Sequence, residues 1–163
     1  MSKLKPVALM ALLVFVLACQ TLQPQPPTAT AIPTPPPDLA VNTDKEFVLV
    51  AGQSATINDS PLTLKLVGVT DDARCPSQIE CAMSGPVSLT LIVTTDQGGR
   101  HEVNLQTFTN AQGRAPEMEF EGIQSHVEIE GYSIRVMAVL PYPATLADRG
   151  KGVYQITLIV KKV

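Results

Sequence analysis

Residues 87–95 read Val87-Ser88-Leu89-Thr90-Leu91-Ile92-Val93-Thr94-Thr95, and this stretch decides the fold. Apolar side chains recur at every second position, which is the period of a β-strand with one buried face. A turn signal follows at Asp96-Gln97-Gly98-Gly99, and the alternation resumes at Val103 and Leu105. Residues 87–95 and 100–108 are therefore predicted to form a β-hairpin.

The same period of two continues on both sides of this hairpin. Leu62, Leu64 and Leu66 mark an earlier strand, and a second hairpin is predicted from His126–Ile129, the turn Glu130-Gly131 and Tyr132–Leu140. In the second hairpin Ile134, Val136 and Ala138 form the inward side, and in a last strand it is Tyr154, Ile156, Leu158 and Val160. No helical period interrupts these strands. We expect an all-β domain built as an antiparallel two-sheet sandwich of the immunoglobulin-like type, with a small barrel as the second choice.

One further strand is predicted between the two hairpins. Glu117, Glu119 and Glu121 alternate with Met118 and Phe120. The pattern predicts a solvated acidic face over a buried one, with attraction of a basic partner as the alternative.

The first nineteen residues have the layout of an export signal. Lys3 and Lys5 precede an apolar run, Val7 to Ala18, and Cys19 closes it. This segment resembles the lipobox signal of bacterial lipoproteins. The resemblance implies a helical signal peptide over residues 1–18 and a mature chain that starts at Cys19 with fatty acyl groups such as palmitate. It also implies an extracytoplasmic protein that contacts a bacterial membrane through its lipid.

Residues 19–43 are predicted to be a disordered linker after the lipidated cysteine, and residues 44–163 the sandwich domain. Seven of the 14 prolines lie between Pro24 and Pro37, interleaved with Thr and Ala. Such a segment buries little and favours extended polyproline conformations. A passive spacer is the favoured interpretation, and a ligand for a docking domain is the alternative.

The cysteine count agrees with export. Of the three cysteines, lipidation would occupy Cys19, which leaves Cys75 and Cys81 as a pair in a compartment where disulfides persist. We therefore expect a Cys75–Cys81 bond. Without Lys3 and Lys5 the chain has 12 − 2 = 10 basic and 15 acidic residues, a net charge of −5. This charge argues against nucleic acid as a partner.

The cysteine pair lies in the most distinctive part of the domain. Asp72, Arg74-Cys75-Pro76, Cys81 and Gly85, followed later by Leu140-Pro141-Tyr142-Pro143, resemble a motif of uncharacterised bacterial lipoprotein-like domains. Met83 stands where that family usually has tryptophan. The resemblance supports the fold, and the family has no known function to transfer.

The segment is also the candidate binding loop. Pro76 and a disulfide would restrict its shape, and Arg74 could pair with Asp71 or Asp72 or donate to carbonyls. A rigid connection between strands is the first interpretation, and a recognition surface is the second. The candidate binding residues are Asp72, Arg74, Pro76, Ile79, Met83 and Tyr142.

No catalytic, metal or cofactor motif is found. Ser125 and His126 are adjacent, so their side chains would point to opposite faces of a strand, and neither a nucleophile elbow nor a phosphate-binding loop is present. A calcium ion held by Asp71, Asp72 and Glu80 is a weaker alternative without a known ligand spacing. We expect a non-catalytic module that binds an envelope protein or polysaccharide without a cofactor. A peptidase inhibitor and a cryptic hydrolase are the alternatives, although the Asn-Pro-Thr-Thr-Gly loop of small β-sandwich inhibitors is absent.

Overall fold

The computed structural model describes residues 36–163 of the 163-residue chain. The predicted signal peptide, Cys19 and most of the predicted linker lie outside the described residues. Nine strands account for the fold, together with one turn of 3₁₀ helix at Leu146–Asp148. The strands are β1 Leu39–Val41, β2 Glu46–Val50, β3 Ser54–Ile57, β4 Leu62–Asp72, β5 Val87–Thr95, β6 Arg100–Thr107, β7 His126–Ile129, β8 Tyr132–Leu140 and β9 Gln155–Lys162.

The strands form two sheets that pack as a sandwich. The first sheet has the order β1-β3-β4-β5-β6, and the second has the order β2-β9-β8-β7. Each sheet is open, with an edge strand at either end of its order. For the described residues, the two-sheet sandwich is therefore confirmed and the barrel is not. Within residues 36–163, no helix has the length and apolar character needed to cross a bilayer.

Both predicted hairpins are confirmed. β5 pairs with β6 from Val87 opposite Thr107 to Thr94 opposite Arg100, and β7 pairs with β8 around the Glu130-Gly131 turn. Both turn residues have positive φ, 50° and 76°, the geometry that a two-residue hairpin loop favours. The alternation of the sequence therefore fixed the register here, because one face of each strand had to be buried.

The core lies between the sheets and consists mostly of Leu, Ile and Val. Leu64 and Leu66 of β4, Leu89 and Leu91 of β5, and Leu158 of β9 are completely buried. The inward positions predicted for the last two strands are also buried: Ile134, Val136, Ala138, Tyr154, Ile156, Leu158 and Val160. A bulge between Val136 and Ala138 shifts the register of β8, so that Ala138 and Val139 are both buried.

Strand β1 is a departure from the expected organisation. It lies within residues 19–43, where composition predicted a linker, and it pairs with β3 in parallel rather than antiparallel. Side chains hold the segment in place: Gln53 Nε2 donates to the Pro37 carbonyl over 2.8 Å, and Ser54 N donates to Asp38 Oδ1 over 3.2 Å. Ordered structure therefore begins before residue 44. The sequence did not predict this strand because three residues are too few to show an alternating pattern.

The predicted strand at Glu117–Glu121 is wrong. The segment is a loop, and Met118 and Phe120, which should have been buried, are exposed. Contacts outside the alternation determine its course. Arg135 of β8 donates to Glu119 Oε1 over 2.7 Å, and the Phe120 ring packs edge-on against Phe108 with centroids 5.0 Å apart.

Candidate functional site

Two loops meet at one end of the sandwich, next to the end of β4. We call residues 73–86 the disulfide loop and residues 141–154 the cis-proline loop, because the Leu140–Pro141 peptide bond is cis. Ser77 N donates to the Pro143 carbonyl over 3.0 Å, and Gln78 N donates to the Ala144 carbonyl over 3.1 Å. The two segments singled out in the sequence are therefore neighbours in space. We call their combined outer side the loop surface.

Arg74 is the centre of the contact between these loops. Its side chain is completely buried and forms a bidentate pair with Asp72, with Nε 2.8 Å from Oδ1 and Nη2 2.7 Å from Oδ2. The same guanidinium donates to the carbonyls of Val139 and Pro141, over 2.8 Å each. Its planar fork of five donors suits such a task, which a lysine could not perform. The predicted reach of Arg74 to Asp72 and to carbonyl groups is confirmed.

Two tyrosines complete this network. Tyr154 donates its hydroxyl hydrogen to Asp72 Oδ2 over 2.8 Å and accepts a hydrogen bond from Gly150 N. The Tyr142 ring lies over the guanidinium of Arg74, 4.9 Å from Cζ to the ring centroid, and its hydroxyl donates to the Cys75 carbonyl. Arg149 donates to the Arg74 carbonyl. The contacts of Tyr154 with Asp72, of Tyr142 with Cys75 and of Arg149 with Arg74 each join parts of the chain that are distant in sequence.

The network also controls the ionisation of Asp72. Burial on its own would raise the pKa of this carboxyl, but hydrogen bonds from Arg74 and from Tyr154 outweigh burial and lower the pKa below its ordinary value. Conversely, burial and the hydrogen bond to the Asp72 carboxylate raise the pKa of Tyr154. The Asp72 carboxyl is therefore ionised at neutral pH, and both of its oxygens accept hydrogen bonds within the network.

The disulfide loop has further braces. Cys75 and Cys81 are bonded, with their Cα atoms 6.0 Å apart, which agrees with the predicted pairing. Gly85 N donates to the Ala73 carbonyl, and a Cβ atom at Gly85 would lie 2.6 Å from the Ala73 Cβ. Only glycine fits this close approach. Pro76 of the same loop is also buried.

The six candidate binding residues thus divide into three groups: buried, half-buried and exposed. Asp72, Arg74 and Pro76 are buried, so they shape the loop and cannot contact a partner in this conformation, contrary to the surface role considered for Arg74. Tyr142 is half-buried, its ring packs against the Arg74 guanidinium, and its hydroxyl donates to the Cys75 carbonyl. Ile79 and Met83 are exposed, and Met83 shows 87% of its surface.

The structure adds two exposed apolar residues that the sequence analysis did not select. Leu146 is 59% exposed and Val153 is 70% exposed, both on the cis-proline loop. Beside them lies a shallow groove of about 420 Å³, with Tyr142, Pro143 and Ala144 among its apolar residues and Asp148 and Lys151 as its charged ones. The sequence signal was the presence of Leu146 and Val153 in a segment with no strand period, but only the fold places their loop against the disulfide loop.

The structure does not bring together the residues considered for hydrolysis or for calcium binding. Ser125 is buried and its Oγ has no hydrogen-bond partner, while His126 Nδ1 lies 3.1 Å from Glu119 Oε1 instead. Both oxygens of Asp72 already accept hydrogen bonds within the network. Across residues 36–163, no group of three or more His, Cys, Asp or Glu side chains is arranged to hold a metal ion.

Comparison of the chain with protein-family models, with curated proteins and with solved structures finds no match. The resemblances to the lipobox signal and to the uncharacterised lipoprotein-like domain stay predictions from the sequence.

Proposed function

We propose that this protein is a lipid-anchored extracytoplasmic binding module that contacts an envelope protein through its loop surface. One observation carries the proposal. Ile79, Met83, Leu146 and Val153 expose apolar side chains on loops that a disulfide bond and a buried ion pair hold in a fixed shape. Exposed apolar side chains on a braced surface reduce the entropy cost of binding, because few groups need to be ordered when the partner arrives.

A protein partner is favoured over a polysaccharide. Sugar rings stack on exposed aromatic faces. Tyr142 is the aromatic residue that lines the groove of the cis-proline loop, and its ring already packs against Arg74. Methionine and aliphatic side chains instead suit the irregular apolar surfaces of proteins. The mildly acidic charge of the chain argues against nucleic acid.

The membrane address rests on the lipobox resemblance and has its own test. Mass spectrometry of the mature N-terminus from membranes of the producing cells should find an acylated Cys19. A Cys19→Ser variant should leave the membrane fraction. An uncleaved start without acylation would reject the anchor and leave the proposal for the loop surface intact.

The binding role is tested by site-specific photocrosslinking in cells. A photoreactive residue at Met83 should give a discrete crosslinked product, whereas one at Met118, which is 66% exposed in the loop between the hairpins, should give none. The Met83 product should disappear when Leu146→Ser and Val153→Ser are combined. Equal crosslinking from Met83 and Met118 would reject the loop surface as a specific binding site.

A further inference from the structure

A groove separates two sheet edges on the long side of the sandwich. β6 is an edge of the first sheet and β7 is an edge of the second. Near the loop surface the two edges are joined, because Gln106 N donates to the Gln124 carbonyl over 2.8 Å. Toward the opposite end they diverge around a groove of about 600 Å³, whose lining includes residues 101–104 of β6 and 127–129 of β7.

The backbone of β6 offers unpaired groups to this groove. Thr95 N donates to the Gly99 carbonyl, so the pairs that exchange hydrogen bonds between β5 and β6 fall at odd-numbered positions of β6. The even-numbered residues therefore direct their N–H and C=O groups away from β5, and the outward bond of Gln106 agrees with this parity. Among the described residues no strand pairs with the outer side of β6, so the backbone groups of Glu102 and Asn104 face the groove.

The floor of the groove is apolar and incompletely covered. Val103 is buried, but Val127 and Ile129 of β7 pack against the core and remain half-buried. An extended segment laid along β6 could place every second side chain over these two residues, because strand side chains alternate between faces. The unpaired edge and the uncovered floor thus call for the same kind of ligand.

The charged lining residues indicate the composition of that ligand. Glu102, Glu128 and Glu130 line the groove together with His101, and the lining contains no Lys or Arg. A second copy of this chain would bring an equally acidic edge, and the chain has a net charge of −3. We infer that the groove binds a short extended basic segment of a partner protein, which adds to β6 as a new strand. Backbone hydrogen bonds would supply affinity, and alternate side chains would supply selectivity.

A model peptide tests the inference directly on the purified full chain in nonionic detergent. The probe is a fluorescein-labelled peptide of eight residues that alternates lysine and valine, with binding followed by fluorescence anisotropy. Two further peptides carry N-methyl groups on one or the other set of alternate amides. We expect one N-methylated set to weaken binding about tenfold and the other to leave it unchanged, since only one edge of an added strand faces β6. Absence of binding, or equal binding of all three peptides, would overturn the inference.

Variants of the protein provide the second arm. Glu102→Pro removes an outward N–H and spares the bonds to β5, so it should weaken the peptide about tenfold, whereas Glu102→Gln keeps the N–H and should weaken it less. Glu128→Lys combined with Glu130→Lys should abolish selectivity for lysine over glutamate peptides. The control is Glu80→Lys, which makes the same replacement of glutamate by lysine on the disulfide loop. If Glu102→Pro disturbs the circular dichroism spectrum, the N-methylated peptides decide; sedimentation as a dimer that excludes the peptide would overturn the inference.

Discussion

At the scale of single residues, the structure depends on one buried ion pair. Taking two charges out of water is costly, and the pair Asp72–Arg74 repays the cost only because each nitrogen and oxygen in contact is hydrogen-bonded. Removing one partner leaves the other charge buried and alone. Arg74→Met should therefore lower the free energy of unfolding by about 3 to 5 kcal/mol, measured by urea denaturation.

Two comparison variants isolate the charge effect for Arg74. Arg74→Met combined with Asp72→Asn removes both charges, and the pair should be less destabilised than Arg74→Met alone. Arg114→Met breaks the bidentate pair with Glu46 on the exposed surface and should cost no more than about 1 kcal/mol. Equal losses for Arg74→Met and Arg114→Met would contradict a structural role of the buried pair.

The ionisation of Asp72 predicts a dependence of stability on acid. The pKa of this carboxyl is lowered in the folded protein from its ordinary value of 3.8, so folding favours the ionised form. The resulting stability is fully present above pH 3.8 and is lost as the pH falls through the lower pKa of the folded state. In Asp72→Asn, the free energy of unfolding should fall less steeply with acid over this range. Parallel curves for the two proteins, from urea denaturation at a series of pH values, would contradict the prediction.

At the scale of elements, the disulfide loop connects β4 to β5. The bond joins cysteines six positions apart, so it restrains a short ring of the unfolded chain. The entropy model gives roughly 2 to 2.5 kcal/mol for such a ring. Cys75→Ser combined with Cys81→Ser should lower the free energy of unfolding by that amount while the far-ultraviolet circular dichroism of the sheets is kept. Collapse of the strand signal in this variant would mean that the bond supports the sheets themselves.

Sequence patterns predicted the elements unevenly, and the reasons are physical. The hairpins β5–β6 and β7–β8 were predictable because a half-buried strand must alternate and a hairpin needs turn residues. β1 has only three residues, and its partner β3 is distant in sequence. Residues 117–121 alternate without forming a strand. The prediction failed there because an alternating pattern does not show whether a second surface is available to cover the apolar side chains.

The candidate site follows the same division. Pairing of Arg74 with Asp72 was predictable because the residues are close in sequence and chemically complementary. The acceptors at Val139 and Pro141 were not, since they are about 65 residues away and depend on how the two sheets pack. Likewise, exposure of Leu146 and Val153 is a property of the folded loop and has no local signature.

At the scale of the whole molecule, polar contacts connect the two sheets at both ends of a single core. At the loop end, Asp72 is the last residue of β4 of the first sheet and accepts a hydrogen bond from Tyr154 before β9, while Arg74, two residues later, donates to Val139 of β8. At the other end, the Tyr132 hydroxyl donates to the Asp59 carbonyl over 3.1 Å. Neither sheet can expose its inner face without breaking these contacts and the shared core.

This arrangement predicts that the domain unfolds in one cooperative step. The chain contains no tryptophan, so its tyrosines report on local packing, Tyr132 at one end and Tyr142 and Tyr154 at the other. Tyrosine fluorescence of the Tyr132→Phe variant reports the loop end, and that of a Tyr142→Phe and Tyr154→Phe double variant reports the opposite end. In each variant, the urea midpoint from fluorescence should coincide with the midpoint from far-ultraviolet circular dichroism, as two-state unfolding requires. A fluorescence transition at the loop end that precedes the loss of strand signal would show that the loops open independently, which would remove the rigid surface on which the binding proposal rests.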